Sequence, residues 1–167
     1  MQDLVSIITP TYNSADFIAE TIECILAQTY QNWELLITDD CSSDNTVEIV
    51  LSYAQKDKRI RLFRLETNSG GGVSRNNSIK EANGRYIAFC DSDDRWTKNK
   101  LEVQVAFMKE KDIAFSYGSY MLCDEDDKEL GINICLSKLT YTRILMDNFV
   151  GCLSAMYDTL KIGKIYM

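Results

Sequence analysis

The chain has 167 residues, 46% of them hydrophobic and 26% charged, an ordinary globular composition that excludes disorder, collagen and coiled coil. Its 18 basic and 25 acidic residues leave a net charge of −7, and the basic ones form no single patch, which argues against a nucleic-acid groove. Six cysteines without a C-x-x-C pair, and the lack of any histidine, exclude a paired Cys/His zinc site and Ser-His-Asp or Cys-His catalysis.

This length supports one domain that buries roughly 70% of its unfolded surface. The scattered cysteines read as small core residues in a reducing cytosol. No apolar run reaches the ~18 residues of a membrane span, and the start lacks the basic region of a signal peptide. A cytoplasmic location is therefore expected, compatible with peripheral attachment at the inner face of a membrane.

Leu4 to Thr9 is short, apolar and β-branched, as a strand buried on both faces should be. A helix follows, capped by Asn13 or Ser14, with Ile18, Ile22, Ile25, Leu26 and Thr29 on one face. Trp33 to Thr38 is a second strand. Ser43 or Asp44 caps a second helix striped by Val47, Val50, Leu51 and Ala54. Arg61 to Leu65 is a third strand. Gly70-Gly71-Gly72 then opens a helix carrying Val73, Ile79 and Ala82, with Gly84 in the C-terminal cap position. Arg85 to Cys90 is a fourth strand, Leu101, Val105 and Met108 mark another helix, and Ile113 to Tyr117 is a further strand. Beyond it, Gly118–Cys123 and Glu129–Cys135 flank a polar turn, residues 124–127, which suggests a hairpin. Thr140 caps a helix through Asp147, and Val150 to Tyr157 supplies one more strand. Strand–helix alternation of this kind predicts an α/β fold with a doubly wound, mostly parallel sheet.

All C-terminal strand ends of such a sheet share one edge, and ligands bind in the crevice there. The loops at that edge are Pro10–Asn13, Asp39–Asp44, Asn68–Gly72 and Asp91–Asp94, rich in carboxylates, hydroxyls and glycine. Asp91 and Asp93, two residues apart, project to the same side of an extended turn. Two carboxylates held together repel each other unless a cation joins them. Oxygen ligands suit a hard divalent cation, magnesium or manganese, that keeps positions open for substrate phosphates. Asp39 or Asp40 at a strand end can accept from a base N–H or a ribose hydroxyl. Tyr12 can stack on a base, the glycine run can approach a phosphate through its N–H groups, and Arg75 can offset diphosphate charge. Trp96 is read as packing.

These motifs together resemble the family 2 glycosyltransferases with the GT-A fold. The matching stretches are Val5–Asn13, Gln28–Thr46, Asn68–Asn76 and Ala82–Trp96. Cys41 stands where that family usually has glycine, and Ser74 where it commonly has alanine. The resemblance implies that Pro10 and Tyr12 line the base pocket. It implies that Asp40, with Asp39, holds the uracil or ribose, and that Arg75 and Ser92 belong to the nucleotide site. Asp91 and Asp93 become the D-x-D motif, with Asp93 the direct metal ligand. Residues 1–117 are then the nucleotide-sugar-binding portion, and 118–167 the start of an incomplete acceptor-side portion.

The implied activity is inverting transfer of a sugar from a nucleoside-diphosphate sugar, usually of UDP, to a saccharide or lipid-linked saccharide acceptor. That reaction needs a carboxylate base. Asp147 and Asp158 lack the family's context for one, so the base is expected beyond Met167 and the chain is read as truncated. A nucleotidyltransferase is disfavoured by the loop after the first strand. A haloacid-type phosphatase is disfavoured because the D-x-D follows the fourth strand. A non-catalytic nucleotide-binding domain on the same fold stays open as the alternative.

Overall fold

A computed structural model of the chain describes residues 2–124, 128–136, 140, 142–143 and 150–167. Strand and helix alternate through its first half: β1 (Val5–Thr11), α1 (Ile18–Leu26), β2 (Trp33–Asp39), α2 (Thr46–Ala54), β3 (Ile60–Arg64), α3 (Gly71–Glu81), β4 (Tyr86–Phe89) and α4 (Lys100–Lys111). There follow β5 (Phe115–Ser116), β6 (Tyr120–Cys123), β7 (Glu129–Asn133), a 3-10 turn at Cys152–Ser154, β8 (Met156–Asp158) and α5 (Thr159–Ile162).

Among these residues, six strands form one sheet in the order β3-β2-β1-β4-β8-β5, and β6 pairs with β7 as a separate hairpin. The first four run parallel, and β8 lies antiparallel between β4 and β5. This is the expected doubly wound, mostly parallel α/β sheet. The strands read as unbroken apolar runs because helices cover both faces. Ile7, Leu35, Ile37 and Ala88 pack with Ile18, Ile22 and Ile25 of α1 and with Leu101 and Val105 of α4. Ile8, Leu36, Ile87 and Phe89 pack on the opposite face with Ile79 and Ala82 from α3 and its end. Pairing of β1 with β4 stops at Ile8↔Phe89, and Cys90 N donates to Ile8 O (3.1 Å). Pro10, two residues on, turns the same way, to where β4 has ended. Its missing N–H therefore breaks no ladder.

Several local expectations are corrected. Neither Asn13 nor Ser14 caps α1 with its side chain. Ser14 Oγ is taken by Ser92 Oγ, in the loop after β4, at 2.8 Å. Asp44, rather than Ser43, holds the start of α2, accepting from Thr46 N (3.0 Å). Leu51 and Val73 face solvent rather than the core. Gly84 is no helix cap. A Cβ there would sit 2.6 Å from Ser6 N and 2.9 Å from Leu4 O, so it is glycine because β1 passes too close for any side chain. The strand expected over 150–157 is only Met156–Asp158, because Cys152–Ser154 turns first. Thr140 Oγ1 accepts from Arg143 N (3.4 Å), whereas the rest of the helix expected through Asp147 falls outside the described residues.

Candidate functional site

The chain leaves β1 toward β2 and β3 on one side and reaches β4 on the other, so β1 and β4 bound the switch point of the sheet. A cleft of about 210 Å³ opens there, lined by Pro10, Thr11 and Tyr12 from β1 and its end, Asp40 after β2, Gly71, Ser74 and Arg75 on the first turns of α3, and Asp91 and Ser92 after β4. Of the residues singled out in the sequence, Pro10, Tyr12, Asp40, Arg75, Asp91 and Ser92 meet on these walls. Asp39 and Asp93 do not. Gly71, from the glycine run expected to approach a phosphate, lines the cleft too, whereas Thr11 and Ser74 lie inside motifs visible in the sequence but no residue type marked them as wall residues.

Asp40 organises the glycine loop. Its Oδ1 accepts from Ser69 N and its Oδ2 from Gly70 N, each at 2.7 Å. Gly70 has φ 88°, a conformation that favours glycine, and it lets both N–H groups turn to one carboxylate. A carboxylate has about four acceptor positions, so Asp40 retains capacity toward the cleft. Asp39, one residue earlier, is fully buried. Its Oδ2 accepts from Ser42 N (3.1 Å) and pairs with Arg64 Nε (3.4 Å), so it braces the loop from beneath. The Arg64 partnership has no signature in the local sequence.

Arg75 and Asp91 face each other across the cleft, with Nη2 2.6 Å from Oδ2. Burial works against the Arg75 charge, and the hydrogen bond and charge of Asp91 outweigh it, so the guanidinium is held above its ordinary pKa. Asp91 Oδ1 is buried with no hydrogen-bond partner among the described residues. Asp93 is exposed and borders a second cavity, about 1190 Å³, that also reaches Trp96, Tyr117, Tyr120 and Phe107. The Asp91–Asp94 loop therefore stands between the two spaces. Burial, and then the charges of Asp91 and Asp93, push Asp94 up to about 6. Trp96 is buried as expected of packing, and its Nε1 donates to Leu153 O (2.9 Å).

Asp158 is buried and accepts from Arg85 Nη2 (2.8 Å) and Leu160 N (2.9 Å). It pairs with Tyr86 at the start of β4, at the sheet edge opposite the cleft. Among the described residues, no group of three or more Asp, Glu, Cys or His side chains is placed to hold a metal on its own.

The architecture is the GT-A fold of nucleotide-diphospho-sugar transferases, with its cleft at the strand switch point. The chain belongs to glycosyltransferase family 2, whose description, "Glycosyl transferase family 2", matches residues 6–156. It is 45% identical over 165 residues to the glycosyltransferase TuaG of Bacillus subtilis, a protein named for teichuronic acid biosynthesis, covering 98% of this chain and 66% of that one. It is 44% identical over 155 residues to the Escherichia coli UDP-Glc:alpha-D-GlcNAc-diphosphoundecaprenol beta-1,3-glucosyltransferase WfgD, covering 93% of this chain and 60% of the other. Residues 1–349 of S. aureus TarS, solved in complex with UDP, superpose with a TM-score of 0.79 at 32% identity, covering 97% of this chain and 49% of that one. The chain thus spans 60–66% of the length of these two curated relatives.

Proposed function

We propose that this chain carries the donor-binding part of an inverting glycosyltransferase, which moves a sugar from a UDP-sugar to an acceptor hydroxyl in polysaccharide or glycoconjugate assembly. The observation that carries the reading is the convergence of Tyr12, Asp40, the α3 N-terminus with Arg75, and Asp91 on one cleft at the switch point. Each wall suits one part of a nucleoside diphosphate. Tyr12 and Pro10 offer a flat surface to the base. Asp40 accepts from a base N–H or ribose hydroxyl. The N–H groups that open α3, with Arg75, face the diphosphate. The complex of TarS with UDP supports uridine as the base.

Asp91 and Asp93 would hold a divalent cation, manganese or magnesium, together with the donor phosphates. The donor set fits, because oxygen ligands suit such ions, and one or two carboxylates suffice when phosphates complete the shell. The buried, unpartnered Oδ1 of Asp91 leaves room for a positive partner, and so does Asp94, which burial, and then the charges of Asp91 and Asp93, push up. When bound, the cation stabilises charge on the departing diphosphate. Arg75 meanwhile holds Asp91 in place, and Ser14 holds Ser92.

The acceptor would enter the larger cavity beside Asp93, which β6 borders, so residues 1–117 take the donor side and 118–167 begin the acceptor side. The diphosphoundecaprenol in the name of WfgD supports a lipid-linked saccharide acceptor and action close to a membrane. No helix among the described residues is long and apolar enough to cross a membrane. Calorimetric titration of the chain with UDP, with and without manganese and beside Asp93→Ala, tests the reading. Manganese is expected to tighten UDP binding, and the substitution to remove that gain. A folded chain that binds no UDP under either condition overturns it.

A further inference from the structure

One stripe of α1 and the turn after it is polar although largely buried. Thr21 and Gln28 are buried and Cys24 is half-buried, at the spacing that places side chains above one another on a helix, beside the apolar stripe of Ile18, Ile22 and Ile25. Each of the three also hydrogen-bonds the main chain of residues 92–101. Thr21 Oγ1 lies 2.9 Å from Ser92 O and 3.1 Å from Asp94 O. Cys24 Sγ accepts from Trp96 N (3.3 Å). Gln28 Nε2 donates to Thr97 O (2.8 Å), and its Oε1 accepts from Leu101 N (3.1 Å). The helix and the turn after it therefore lie along the segment as a splint, and Thr21 holds it on both sides of Asp93.

The Thr21 contacts bracket Asp93. Its hydroxyl has one proton, shared between the carbonyls on either side of that residue. Thr21 is almost fully buried, so water offers neither carbonyl a ready substitute. Ser92 is fixed from another direction by Ser14 Oγ at 2.8 Å. Asp93 itself is exposed and has no hydrogen bond or ion pair among the described residues, so its placement rests on the main chain beneath it.

We propose that Thr21 is a positioning residue that sets where the Asp93 carboxylate meets the cation; the inference rests on the metal-dependent donor site proposed above. Groups that orient a metal ligand without touching the metal typically carry a 10–100-fold effect on metal affinity. Thr21→Val keeps the shape and removes the hydroxyl. Thr21→Ser keeps the hydroxyl and removes the methyl.

The test is calorimetric titration with manganese at saturating UDP, alongside UDP titration in the presence of a chelator. In Thr21→Val, manganese affinity should fall about tenfold, the lower end of that range, while metal-free UDP binding stays within about twofold of wild type. Thr21→Ser should restore manganese affinity. A role confined to holding the fold together would weaken both titrations in parallel. Equal manganese affinity in wild type and a folded Thr21→Val overturns the inference and leaves the donor-site reading standing. A wild-type chain with no manganese-dependent UDP binding overturns both. Should Thr21→Val lose its fold, Thr21→Ala removes the same hydroxyl from a smaller side chain and carries the same expectation.

Discussion

Arg75 Nη2 lies 2.6 Å from Asp91 Oδ2, so the first carboxylate of the D-x-D motif already has a cation of its own, supplied by the second turn of α3. The pair links the glycine loop to the loop after β4, the two walls between which a diphosphate would lie. Arg75 also stands in for part of the charge that a metal would bring. Replacing Arg75 by Met should lower UDP affinity about tenfold without metal, the value of one charge-assisted hydrogen bond of roughly 1.5 kcal/mol. Manganese should recover part of the loss. Titration with UDP in chelator and then in manganese checks this, and unchanged affinity in chelator would remove Arg75 from the site.

Two positions make opposite demands on glycine. Cys41 adopts φ 66° just after β2, where an L side chain costs roughly 1–2 kcal/mol. Glycine removes that cost and adds roughly 0.5–1 kcal/mol of unfolded-state entropy. Cys41→Gly should thus stabilise the chain by about 0.5–1 kcal/mol, seen as a higher denaturant midpoint at unchanged slope.

Gly84 is the reverse case. A Cβ there meets Ser6 N of β1 at 2.6 Å and Leu4 O, just before it, at 2.9 Å, and neither can move without disturbing the sheet. The Gly84 N–H also donates to Ser6 Oγ (2.8 Å), which in turn donates to Glu34 (2.6 Å). Gly84→Ala should destabilise by at least the ~1–3 kcal/mol of an overpacked core, measured by the same denaturation.

Lys100 begins α4 with its Nζ sealed from solvent, over the Trp96 ring at 3.7 Å from the centroid and with no hydrogen-bond partner among the described residues. Burial pulls its pKa down from 10.5 to about 7. Between those two values the unfolded chain binds the proton and the folded chain does not, so this group makes stability rise with pH across that window. Lys100→Met should flatten that rise and raise stability at the lower end of the window. Denaturation midpoints of both proteins across the window check it, and parallel curves would rule the lysine out as the source.

The order of elements, the parallel sheet and the acidic edge could be read from residues 5–94 because each rests on local pattern. Apolar runs such as Val5–Ile8 mark strands buried on both faces, and the loops that follow them hold the polar chemistry. Family motifs then pointed to Tyr12, Asp40, Arg75 and Asp91 as one group, and these do share a wall. Ser14 and Gly84 were misread as caps because their true partners, Ser92 and the backbone of β1, lie more than seventy residues away in sequence. The pattern of residues 150–157 likewise did not reveal that only its last residues join the sheet, wedged antiparallel beside β4.

The sequence by itself determined which residues carry charge and hydroxyls to the cleft edge, since burial, turn chemistry and strand order follow from neighbouring residues. Only the tertiary structure decided how those residues are held. Asp39 pairs with Arg64 beneath the loop, Asp40 accepts from two N–H groups of the glycine loop and Asp91 Oδ2 from Arg75, while Thr21 holds the chain on both sides of Asp93. These are contacts between distant segments, and they form because packing the helices and loops against the sheet brings buried polar groups beside partners far away in sequence.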